Sequence, residues 1–105
     1  MCELSVLLDK DGDSQQIAKD VVYALQNGDT LLVKDILGTP TEVSSAMITK
    51  VNIANETLTL IAHPLVGQFL KFFALLTDES SISDIEHAWA QLKKTGDELI
   101  KKKQK

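Results

Sequence analysis

The chain has 105 residues, 44% hydrophobic and 25% charged, with 5 Gly, 2 Pro and 1 Cys; such values exclude collagen-like repeats, low-complexity disorder and an internal disulfide framework. At this length a single main domain is the default, burying roughly two-thirds of the surface of its unfolded chain. The most apolar run, Leu65–Leu76, is broken by Gln68 and Lys71, and no stretch reaches the ~18–20 apolar residues of a membrane span. With one cysteine and no secretory leader, a soluble, cytoplasmic protein is expected.

Charge is uneven. Residues 1–60 carry four Lys against nine Asp and Glu, whereas residues 61–105 carry seven Lys against six acids, and arginine is absent throughout. An acidic first half without arginine lacks the clustered positive footprint that nucleic-acid backbones require. The Lys101-Lys102-Lys103 tail reads as a solvated helix end that complements the helix dipole.

The first sixty residues read as strands. Cys2, Leu4, Val6 and Leu8 alternate onto one face. Asp11-Gly12 marks a tight turn before a strand around Ile17–Leu25, and Asn27-Gly28 signals a type I′ hairpin. A third strand spans Thr30–Leu37, and after the Gly38-Thr39-Pro40 turn a fourth spans Val43–Ile53, with Val43, Met47, Thr49, Val51 and Ile53 on one face. A fifth covers Thr57–Ile61. Five short strands with close turns predict a bent antiparallel barrel or sandwich.

After His63-Pro64 the period changes. Leu65–Leu76 is dense enough in apolar residues to predict a mostly covered helix. Ser81 followed by Asp84 predicts an N-terminal cap, and Ile82, Ile85, Trp89, Leu92, Gly96 and Leu99 form the stripe of an amphipathic helix packed antiparallel on the first. On this reading Phe69, Phe72, Phe73 and Trp89 are core residues rather than a ligand box.

Several chemical readings have little support. Counting a calcium loop from Asp9 to Asp20 puts Ser14 where an EF-hand needs glycine, so a solvated hairpin turn is expected instead. His63 reads as a turn residue and His87 as an exposed one, neither with a second His or Cys at ligand spacing. Ser44 and Ser45 lack a glycine elbow, and no glycine-rich phosphate loop is present. No nucleophile–base pair can be assembled, so catalysis is not expected.

Cys2 is chemically distinctive. Removal of Met1 would set a free α-amine beside its thiol, a five-membered chelate, with the Glu3 backbone nitrogen as the next donor. A planar set of thiolate and nitrogen donors suits Ni(II) or Cu(II). One residue cannot saturate the ion, whereas a two-fold dimer supplies it twice. On residues alone a buried strand cysteine is the favoured reading.

Met1-Cys2-Glu3-Leu4-Ser5-Val6, Lys19-Asp20-Val21, Leu32-Val33-Lys34-Asp35-Ile36-Leu37-Gly38 and Ile48-Thr49-Lys50-Val51-Asn52 resemble the CooT-type family over residues 1–61. The resemblance implies a small β-barrel, homodimerisation and Ni(II) binding through the cysteine after the initiator methionine, here Cys2. The family's namesake assists nickel insertion into carbon monoxide dehydrogenase, and its members were once labelled predicted RNA-binding proteins. Short members end near the last strand, so residues 63–105 depart from the pattern.

The expectation is thus an α+β chain: a small five-stranded antiparallel β-barrel-like domain (1–62) and a C-terminal helical hairpin (63–105) packed on it or on a dimer mate. The expected function is a non-enzymatic Ni(II)-binding accessory protein, a chaperone or store, with Cys2 and Glu3 at the metal, a homodimer, and a nickel enzyme as client. A protein-interaction module and an RNA-binding domain, each with Cys2 only structural, are the alternatives.

Overall fold

The computed structural model describes residues 3–10 and 12–104. Six strands, β1 (Leu4–Lys10), β2 (Asp13–Asn27), β3 (Thr30–Asp35), β4 (Pro40–Ser44), β5 (Ala46–Asn52) and β6 (Thr57–Ala62), precede two helices, α1 (Pro64–Thr77) and α2 (Ile82–Lys103). The strands form one sheet in the order β4-β3-β2-β1-β6-β5. The α+β class is as expected; the strand count and the pairing are not.

The expected strand Val43–Ile53 is two strands that meet at Ser45, whose backbone is left-handed at φ 54°. β4 and β5 run in the same direction, since each is antiparallel to a neighbour of the same sense. The chain therefore does not reverse at Ser45. It turns a corner and leaves one edge of the sheet for the other. In a flat sheet five gaps of about 4.8 Å would hold those edges about 24 Å apart, so a one-residue link requires the sheet to curl into a half-barrel. Two hydrogen bonds fasten the corner: the Ser45 N–H donates to the Asp29 carbonyl (2.7 Å), and Gln26 Nε2 donates to the Ala46 carbonyl (2.9 Å).

The same geometry corrects the antiparallel expectation. With β4 and β5 counted as one bent strand, the chain is a five-strand meander, whose first and last members run the same way. Closure between them must then be parallel, and β1 pairs with β6 in parallel register from Ser5↔Thr57 to Asp9↔Ile61.

Alternation works as expected on β1, where Leu4, Val6 and Leu8 all reach the core; Cys2 lies outside the described residues. The core is Val6, Val21, Leu31, Val33, Ala46, Leu58 and Leu60, each burial contributing about 1.5–3 kcal/mol for the larger side chains. Ser45 also resets the facing of β5. Val43 packs on the core, but beyond the corner Ala46 and Ile48 point inward and Met47 is exposed, opposite to the shared odd-numbered face expected.

The hairpin between β2 and β3 places Gly28 and Asp29 at its centre, flanked by the pair Asn27↔Thr30. Gly28 has φ 60° and Asp29 is not left-handed, the pattern of a II′ rather than the expected I′ turn.

His63 caps α1, its Nδ1 accepting from the Leu65 N–H at 3.0 Å, with Pro64 in the first turn. Ser81 caps α2 through the Asp84 N–H, as its spacing predicted. The two helices pack as a hairpin, with Phe72 and Trp89 rings 5.5 Å apart. α1 is not the mostly covered helix expected. Its one buried residue is Gly67, while Phe69, Phe73 and Leu76 are half-exposed. Phe69, Phe73 and Trp89 are correspondingly half-exposed rather than core, whereas Phe72 is partly covered against Trp89; α1 comes closest to the sheet at the Ser45 corner, and one broad side of the hairpin stays uncovered. No described helix is long and apolar enough to cross a membrane.

Candidate metal centre

Glu3 leads into β1 at one end of the half-barrel. Leu4 stands beside Val21, and Val21 stands opposite Asp35, so β1, β2 and β3 share a row there. On the other side Ser5 faces Thr57, which faces Asn52, and the Ser5 N–H donates to the Glu56 carbonyl (2.8 Å). Glu3 sits partly buried at this mouth.

The mouth is built from two irregularities. β2 bulges against β1 between the pairs Val6↔Ala18 and Leu4↔Val21, with Asp20 left-handed at φ 55°. Such a bulge bends the strand, so that one 15-residue strand serves β1 with its first half and β3 with its second. The second irregularity is the turn after β3. Asp35 Oδ1 accepts from the N–H groups of Leu37 and Thr39, both at 2.9 Å, and Gly38 at φ 85° returns its N–H to the Asp35 carbonyl. The two are tied together by the Ile36 N–H, which donates to the Asp20 carbonyl at 3.0 Å. An aspartate serves such a turn because its short carboxylate reaches backbone donors two to four residues on.

The other donors examined by type are dispersed. His63 is committed to its cap and His87 is exposed on α2. The supposed calcium loop is a hairpin in which Lys10 faces Asp13 and Asp9 faces Ser14, with Asp20 at the distant bulge. Among the described residues no three His, Cys, Asp or Glu side chains gather closely enough to hold a metal ion.

Residues 1–61 match the family model described as the CO dehydrogenase accessory protein CooT. The chain belongs to the CooT family. No curated protein matches it in sequence. A crystal structure assigned to CooT from Carboxydothermus hydrogenoformans superposes with a TM-score of 0.54 at 18% identity, covering 59% of this chain and 98% of that one. At that identity the likeness is one of fold. The relative has no counterpart for the remaining two-fifths of this chain.

The CooT-like segments are scattered along the sequence but adjacent in space. The described part of the first segment (Glu3–Val6), Lys19–Val21, the Asp35 end of Leu32–Gly38 and the Asn52 end of Ile48–Asn52 all reach the same mouth. In that setting Lys19-Asp20-Val21 is the bulge and Asp35-Ile36-Leu37-Gly38 the turn tied to it. Periodicity alone did not reveal the structural work of Asp20 and Asp35; Gly38 after Asp35 was the one local signal of a left-handed turn. Ser45 carried no sequence signal of its corner.

Proposed function

We propose that this CooT-family chain is a Ni(II)-binding accessory protein that carries or stores nickel for a nickel enzyme such as carbon monoxide dehydrogenase, without catalysing a reaction itself. The Cys2 thiolate, its α-amine once Met1 is removed, and the Glu3 backbone nitrogen supply the donors, and a homodimer contributes the set twice. The supporting observation is the convergence of the CooT-like segments on the mouth where β1 begins, Cys2 standing two positions before Leu4 in the sequence. A soft thiolate with nitrogen donors matches the preference of Ni(II) for planar N,S sites.

The test is a Ni(II) titration of protein with a free native N-terminus, beside Cys2→Ser, following thiolate-to-metal absorption and bound metal per chain. The expected result is saturable binding near half an ion per chain, absent from the variant. Equal binding in both proteins removes Cys2 from the site. A protein-interaction role for residues 63–105 stands alongside this reading, favoured by the exposed aromatic side of the hairpin.

A further inference from the structure

We infer that the helical hairpin is a self-association surface: two copies of this chain pair through the uncovered side of α1 and α2 into an antiparallel four-helix bundle. The inference goes beyond the nickel reading and does not depend on it.

The surface is contiguous and apolar. On α1, Phe69 and Phe73 stack at 6.3 Å between centroids, with Leu76 one turn further on. On α2, Ile82 and Trp89 flank the same side, and all five side chains are at least half-exposed. Between helices and sheet the face dips into an open groove lined by Met47, Leu65, Val66, Phe69 and Leu92, with no polar side chain in it. The opposite side of the hairpin is polar, carrying Lys71, Asp84, His87 and Gln91.

The helical spacing fits a bundle of more than two helices. Ile82, Ile85, Trp89, Leu92, Gly96 and Leu99 repeat 3-4-3-4-3, and Leu65, Phe69, Phe72 and Leu76 repeat 4-3-4. Those seams suffice for a two-helix contact. Phe73 beside the first seam and Ile100 beside the second widen each stripe to the three-in-seven face that bundle helices use. α2 has 22 residues against 14 in α1, so about 12 Å of it, at 1.5 Å per residue, lacks a partner within the chain.

Area admits a second copy as the occupant. The chain exposes 7389 Å², whereas a folded monomer of 11.5 kDa exposes about 5,800 Å². Its radius of gyration is 15.9 Å against roughly 13 Å for a compact domain of this length. The excess, roughly 1,600 Å² per copy, belongs to the whole extended chain; covering half of it on each copy would already make an interface of standard size, about 1,600 Å² in total. Charge fixes the sense of pairing. The loop end of the hairpin holds Asp78, Glu79, Asp84 and Glu86, and the far end holds Lys93, Lys94, Lys101, Lys102 and Lys103 against Asp97 and Glu98. An antiparallel two-fold sets each acidic end on a basic end, whereas a parallel one opposes like charges.

The experiment measures the mass of the full chain by sedimentation equilibrium across a dilution series, with emission of the single Trp89 as a second readout. The expected result is a two-chain mass, Phe73→Glu weakening association at least about thirty-fold with an unchanged circular dichroism spectrum, and Leu25→Glu on the outer sheet face leaving it intact. Trp89 emission shifts to the red as the dimer dissociates. Glu79→Lys/Glu86→Lys weakens association, and adding Lys101→Glu/Lys102→Glu restores it. A monomeric wild type, which would leave the face to a client protein, overturns the inference, as does a dimer indifferent to Phe73→Glu. Failure of the charge exchange to restore pairing overturns the antiparallel arrangement.

Discussion

Gly67 of α1 lies so close to Ser45 at the β4–β5 corner that a Cβ at Gly67 would stand 2.7 Å from the Ser45 Cβ and 3.1 Å from its Cα. The Ser45 carbonyl also accepts from the His63 N–H at 3.0 Å, just before α1 begins. One residue thus closes the half-barrel and receives the helix. The glycine is there for close approach, since its own φ is not left-handed.

Gly67→Ala should therefore destabilise the chain by about 1–3 kcal/mol, the usual cost of overpacking a tight contact, with chemical denaturation as the measurement. Ser45→Gly removes the opposing side chain and suits φ 54°. The double variant should recover most of the loss, a coupling that a double-mutant cycle reads directly. Simple additivity would show that the two positions do not press on each other.

His63→Ala removes the acceptor of the Leu65 N–H and should cost about 1 kcal/mol, whereas His63→Asn, a strong cap residue, should cost less. Equal losses in the two variants would mean that the ring's packing, not its cap, matters.

Asp35→Ala releases the N–H groups of Leu37 and Thr39 and loosens the turn that Ile36 ties to the Asp20 bulge. A loss of about 1–2 kcal/mol is expected, from hydrogen bonds to a charged acceptor discounted for the exposed turn. Amide exchange should quicken first at Ile36, Leu37 and Thr39. Unchanged protection there would count against Asp35 as the anchor.

Ni(II) affinity should rise with pH, because the Cys2 thiol and its amine must lose protons before they bind metal. Titrations at several pH values check this, and a flat profile would exclude those donors.

Much of the chain was legible locally. Alternation on Leu4, Val6 and Leu8 depends on the two-residue period of a strand, and the caps of α2 and the breaks at Gly12, Gly28 and Gly38 depend on a few neighbouring residues. The Met1-Cys2 start, the Asp35–Gly38 segment and the other short runs were enough to recognise the family, and the match over residues 1–61 agrees. Cys2 and Glu3 as ligands rest on chemistry at the chain start, which no strand pattern could supply.

The sequence by itself determined the division into a strand region and two helices, and which faces of β1 and α2 are apolar, because those properties are set by residues within a few positions of each other. Tertiary structure alone decided that Val43–Ile53 bends at Ser45, that β1 meets β6 in parallel, and that Phe69, Phe73 and Trp89 stay uncovered. Those outcomes depend on which distant segments share space. Edge closure places Ser45 beside Gly67, and the hairpin is anchored at that corner while its aromatic side stays uncovered.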